Sequence, residues 1–79
     1  MKTDEEITRT LQARLRALRQ ERNMSIRELA SQSGLSVSQL YRLEKGERPR
    51  VAALTLARIA QALGTSVDYL LGLSDNREV

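Results

Sequence analysis

Apolar residues recur along this chain at helical spacing, and no segment alternates with period two. Ile7, Leu11, Leu15 and Leu18 fall on one stripe of a helix expected from near Asp4 to about Arg22. Leu29 and Ala30, then Leu35, then Leu40 and Leu43 form a set shared by two short helices joined by a tight turn. Ala53, Leu56, Ala57, Ile59, Ala60 and Leu63 make one side of a fourth helix, expected from about Val51 to Leu63, and VDYLLG is a short fifth ending at Gly72 or Leu73. The expected fold class is all-α, with five helices and no sheet.

The polar residues between these stripes are start and stop signals. Thr3 with Glu6, Ser25 with Glu28, and Ser36 with Gln39 each have the spacing of a capping box, in which two side chains satisfy backbone donors reciprocally at a helix start. Gly34 and Gly46 stand where two helices end and the backbone turns through positive φ. Asn23 and Met24 break the chain before Ser25, Pro49 disfavours helix at Arg48, Gly64 stops the fourth helix, and Thr65 to Asp68 resembles a cap for the fifth. The polar tail SDNREV, residues 74–79, is expected to fray. With Leu40 and Leu43 turned inward, the helix beginning at Ser36 shows Ser38, Tyr41, Arg42 and Lys45 on its other side, with Val37 at the edge. That side offers hydroxyls and cations without a carboxylate, which suits an anionic groove.

The run ELASQSGLSVSQLYRLEKG resembles the helix-turn-helix of the phage Cro and repressor type, the xenobiotic-response-element family of bacterial and phage transcription regulators. The likeness extends from about Leu11 to Leu71 and includes LARIAQALGTSVDYLLG. It implies five short helices around one small core: a lambda-repressor-like DNA-binding domain over residues 1–79, with the motif at residues 25–46.

Size and charge narrow the classes. At 79 residues the chain supports a single domain, and without cysteine it has neither disulfides nor thiolate metal sites. No run approaches a membrane span and the N-terminus lacks a signal-peptide core, so a cytoplasmic protein without a membrane partner is expected. The net charge of +3 hides segregation: residues 9–58 hold eleven Lys or Arg against four acids, while both ends are acidic. Such a middle suits a polyanion, and eleven of the thirteen cations are arginine, the better bidentate donor to phosphate and guanine; a merely solvated helical surface is the plainer alternative. No histidine, no cysteine, no glycine-rich phosphate loop and no paired metal carboxylates are present, so neither an enzyme nor a cofactor or metal site is expected.

In helix-turn-helix docking the N-terminal residues of the second motif helix enter the major groove. Ser36, Val37, Ser38 and Arg42 are therefore expected at base edges, where serine donates or accepts, a valine methyl packs on thymine and arginine grips guanine. Ser36 also caps its helix. For Gln39 the resemblance implies a phosphate or base contact at or near this position, and its capping box competes for the side chain. Arg48 and Arg50, on the stiff loop around Pro49, are expected to clamp phosphates. Ser25 and Arg27, starting the first motif helix, join them; many relatives carry glutamine where this chain has Ile26, and Arg27 is expected to replace that contact. Tyr41 either meets the sugar-phosphate backbone or is a surface ring, and Lys45 either contacts phosphate or complements a helix C-terminus.

Two further expectations come from the resemblance. Arg19 and Glu44 match positions that form a partly buried ion pair in relatives, with a structural role. Relatives often dimerise through the C-terminal region, and here Leu54, off its helical stripe, is grouped with Val51, Leu70, Leu71 and Leu73 as a homodimer interface; scattered surface leucines are the alternative. The implied function is a sequence-specific regulator, a repressor that binds a palindromic operator in double-stranded DNA as a homodimer. The alternative is an antitoxin-like or scaffold module whose helical surface takes a protein partner, a toxin or other component; such a surface needs larger apolar anchors. The DNA reading requires the cationic flank of the helix from residue 36 to be uncovered.

Overall fold

Three helices begin in the same way because three Ser or Thr hydroxyls precede a Glu or Gln by three residues. In a computed structural model that describes residues 1–47 and 50–78, Thr3, Ser25 and Ser36 each accept from the backbone N–H of the residue three further on, whose side chain bonds back to the cap's own N–H. These caps open α1 (Asp4–Glu21), α2 (Ile26–Ser33) and α3 (Val37–Glu44). The Thr3 N–H and then its hydroxyl hold the Glu6 carboxyl below its ordinary value of 4.5. Two more helices, α4 (Ala53–Leu63) and α5 (Val67–Leu71), complete an architecture with no strand among the described residues.

Two starts differ from expectation. α4 begins at Ala53, two residues after the expected Val51, with Ala52 at the cap position and no side-chain cap bond. Its buried residues, Ile59, Ala60 and Leu63, all lie in its second half, so its first turn projects beyond the core and Ala53 is exposed rather than inward. For α5 the cap is Ser66, whose hydroxyl accepts from the Tyr69 N–H at 3.0 Å. Thr65 is instead buried and donates its hydroxyl to the carbonyl of Arg77 at 2.7 Å.

The core takes one stripe from each helix: Leu11, Leu15 and Leu18 of α1, Leu29 and Ala30 of α2, Leu40 and Leu43 of α3, Ile59, Ala60 and Leu63 of α4, and Leu70 of α5. Each fully buried leucine contributes roughly 1.5–3 kcal/mol, and the total is opposed by a chain entropy of similar size. Leu35, Leu56 and Met24 pack against this set half-buried, and Ile7 is likewise only half-buried. α2 packs on α3 and α4, and α1 spans the other side against α3 and α5.

The tail, expected to fray, is fastened at three points. Arg14 donates to the carbonyls of Tyr69 and Ser74 at 2.7 and 2.8 Å, pairs with Asp75 at 2.9 Å, and lies 4.1 Å from the Tyr69 ring centre. Arg77 meets both carboxylate oxygens of Glu21 at 2.8 Å. The Glu21 carboxylate raises the affinity of the Arg77 guanidinium for its proton. Together with the Thr65 bond, these contacts lay residues 74–77 against α1 and the start of α5.

Candidate nucleic-acid interface

The turn between α2 and α3 is fixed by one glycine. Gly34 adopts φ +71° and ψ +21°, and the Leu35 N–H reaches back to the Ala30 carbonyl at 3.0 Å, so the chain reverses within two residues before Ser36 starts α3. α3 is then seated by burying Leu40, Leu43 and Glu44. Everything else on it faces outward: Val37 is 41% and Tyr41 50% accessible, and Ser36, Ser38, Gln39, Arg42 and Lys45 are all exposed. The one carboxylate in α3, Glu44, is buried away from this face.

Glu44 is held by Arg19. The guanidinium meets it twice, Nε to Oε2 at 2.6 Å and Nη2 to Oε1 at 3.0 Å, and its third donor goes to the Met24 carbonyl at 2.8 Å. With side chains only 13% and 6% exposed, the pair fastens the last turn of α3 to α1 and also closes the break after α1. The break itself uses Asn23 at φ +55°, a conformation that asparagine tolerates better than most residues.

At the start of α3, Ser36 Oγ accepts from the Gln39 N–H at 3.1 Å and Gln39 Oε1 accepts from the Ser36 N–H at 2.9 Å. Gln39, Arg42 and Arg50 then line a cleft of about 440 Å³ between α3 and the start of α4, with Leu35, Leu43 and Val51 also in its wall. Arg50 is exposed there, and Arg48 lies outside the described residues. Lys45 places its ammonium 4.9 Å from the Tyr41 ring centre, so the two form one cation–aromatic pair on the exposed side. At the start of α2, Ser25 and Arg27 are exposed, and the Ser25 hydroxyl is engaged by the Glu28 N–H at 3.0 Å. Ile26 is half-buried against the core.

The residues grouped for dimerisation do not share one environment. Leu54 and Leu73 are 72% and 59% exposed, Val51 and Leu71 are half-buried against the chain's own core, and Leu70 is fully buried. Leu70 is therefore removed from that group: it is the inward position of the five-residue α5 and has no surface to offer.

Several arginines in the basic middle have internal work that spacing does not signal. Arg14 and Arg19 make the bonds already described, and Arg22 donates its Nε to the Leu63 carbonyl at the end of α4. Gln12 of α1 lies over Gly46, the residue that closes α3. The cationic density is thus partly structural, and the arginines outside these bonds are spread over several elements, Arg9 and Arg16 on α1, Arg27 on α2, Arg42 on α3, Arg50 before α4 and Arg58 on it. Among the described residues no group of His, Cys, Asp or Glu could hold a metal ion, and no helix is long and apolar enough to cross a membrane.

Against known proteins, a helix-turn-helix family model matches residues 15–70. Over 57 residues the chain is 40% identical to the HTH-type transcriptional repressor RghR of Bacillus subtilis (strain 168), a stretch covering 72% of this chain and 42% of that protein. The chain thus spans under half the length of that curated relative.

Proposed function

The chain belongs to the helix-turn-helix family of Cro/repressor type, and on that premise we propose that it regulates transcription by binding a specific sequence in double-stranded DNA. The observation that carries the reading is the uncovered face of α3, where Val37, Ser38, Gln39, Tyr41 and Arg42 stand exposed and the helix's only acid is turned inward. Ser36, Val37, Ser38, Gln39 and Arg42 take the base edges; Ser25, Arg27, Tyr41, Lys45, Arg48 and Arg50 take phosphates. Occupying an operator, rather than catalysis, is the mode of action, and the repressor among its relatives supports repression as its sign.

The operator is palindromic in this reading and the protein a homodimer, because a two-fold protein presents two such helices about 34 Å apart, one turn of B-DNA. Leu54 and Leu73 are the exposed apolar residues available to pair two copies, with Val51 and Leu71 beside them as half-buried neighbours. A toxin or scaffold protein docked on α3 would need large apolar anchors, and the face offers one valine and one tyrosine among polar groups. A cytoplasmic site of action follows from the same reading.

The test is a titration of genomic and random duplexes across a salt series. A steep salt dependence with enrichment of particular genomic fragments is expected. No retention at low salt, or no preference over random duplex, overturns the proposal.

A further inference from the structure

The start of α3 contains an amide whose two ends are not equivalent. A backbone N–H can face only an acceptor, so the bond from the Ser36 N–H identifies the oxygen of the Gln39 side chain and settles which way the amide points. Its oxygen is engaged at 2.9 Å, while no described residue takes either proton of its Nε2. Gln39 is exposed, and the cleft wall it shares carries the donors Arg42 and Arg50 together with the carboxylate of Glu47, which takes no bond from Nε2.

From this we infer that Gln39 reads chiefly as a donor, through Nε2, and favours guanine, and after it thymine, over adenine and cytosine at the base pair it faces. The inference rests on the DNA-binding reading and goes further than it. A free glutamine amide pairs with adenine by giving one N–H to N7 and taking one from N6. Here one of that oxygen's two lone pairs already holds the Ser36 N–H, so the adenine pairing would ask an oxygen committed to the helix cap to take a second proton. Guanine, with O6 and N7 both acceptors, meets the Nε2 protons without that demand. Thymine O4 offers one acceptor and is the second choice.

The polarity can be reversed without disturbing the helix. Gln39→Glu keeps an oxygen for the Ser36 N–H, suits the positive end of a helix, and replaces the free amine by a second oxygen that accepts. Random-duplex selection with the parent and with Gln39→Glu, alongside thermal melts of both, tests the idea. The parent is expected to enrich guanine, or thymine, at one base pair of each half-site. Gln39→Glu is expected to melt at or above the parent's temperature and to switch that base pair alone to cytosine, by about fivefold to tenfold in relative affinity. An unchanged base preference in Gln39→Glu, with binding weakened equally on all sequences, assigns Gln39 to phosphate and overturns the inference. Enrichment of adenine by the parent at a position that Gln39→Ala randomises overturns it as well, since the side-chain oxygen would then be read as an acceptor. Absence of any enrichment by the parent instead removes the DNA-binding reading itself.

Discussion

The single residues on the uncovered face divide by what their geometry permits. Arg42 rises from the helix and can form a fork with guanine, while Arg50 sits in the loop wall, where it can neutralise charge without reading sequence. Arg42→Ala is accordingly expected to relax discrimination at one base pair. Arg50→Ala should weaken all duplexes alike and lower the salt slope by about 1. Equal losses on cognate and random DNA for both would reverse these roles, and competition binding across a salt series distinguishes the cases. Behind the face, Glu44→Gln tests the ion pair: removing one charge strands Arg19 in a largely buried position, at a cost of roughly 3–5 kcal/mol in urea unfolding. Arg19→Met combined with Glu44→Leu is expected to recover most of that loss, because two apolar groups leave no stranded charge. The ion pair was visible in the sequence only through the family likeness. Nothing in the spacing of Arg14 or Arg22 tells an arginine that caps a carbonyl from one that waits for phosphate.

At the scale of elements, the helices were legible wherever a local rule decided the outcome. Three capping boxes and the glycine stop at Gly34 are short-range chemistry, and each forms as its residues require. Gly34→Ala is expected to cost about 1–2 kcal/mol in thermal or urea unfolding, since a side chain at φ +71° is strained and its Cβ would lie 3.2 Å from Arg58 Nη1. Where the decision was tertiary, the sequence was less informative. α4 carries no capping side chain at Ala52, so its start depends on packing and falls two residues later than its apolar pattern suggests. Thr65 has the chemistry of a cap yet is used elsewhere, because the returning tail brings a carbonyl to it. The tail reads as a polar segment with no reason to stay, and the partners that hold it, Arg14, Glu21 and Thr65, are between 12 and 61 residues away in the chain.

For the molecule as a whole, the proposed homodimer needs a surface on which two copies can meet. If the exposed Leu54 contributes to that surface, Leu54→Asp is expected to give monomers in sedimentation equilibrium with unchanged helicity. The same variant should lose affinity for a two-fold site far more than for a half-site. Dimers that persist in Leu54→Asp would move the interface elsewhere. The sequence identified Leu54 as off its stripe, which exposure agrees with, but it could not separate Leu70 from its neighbours. In a helix of five residues, periodicity is too short to assign an inner face.

One consequence follows from how little of α3 is its own. Eight residues in isolation would hold no helical shape in water, so the alignment of Ser36, Gln39 and Arg42 is borrowed from Leu40, Leu43 and the Arg19 clasp beneath them. Fidelity is therefore stored in the interior. Trimming a remote filler such as Leu18→Ala should blur the preference between correct and near-miss sites before it abolishes general adhesion to duplex, because attraction survives a loosened scaffold and registration does not. A ratio of specific to nonspecific affinity that falls while nonspecific affinity holds would be its signature.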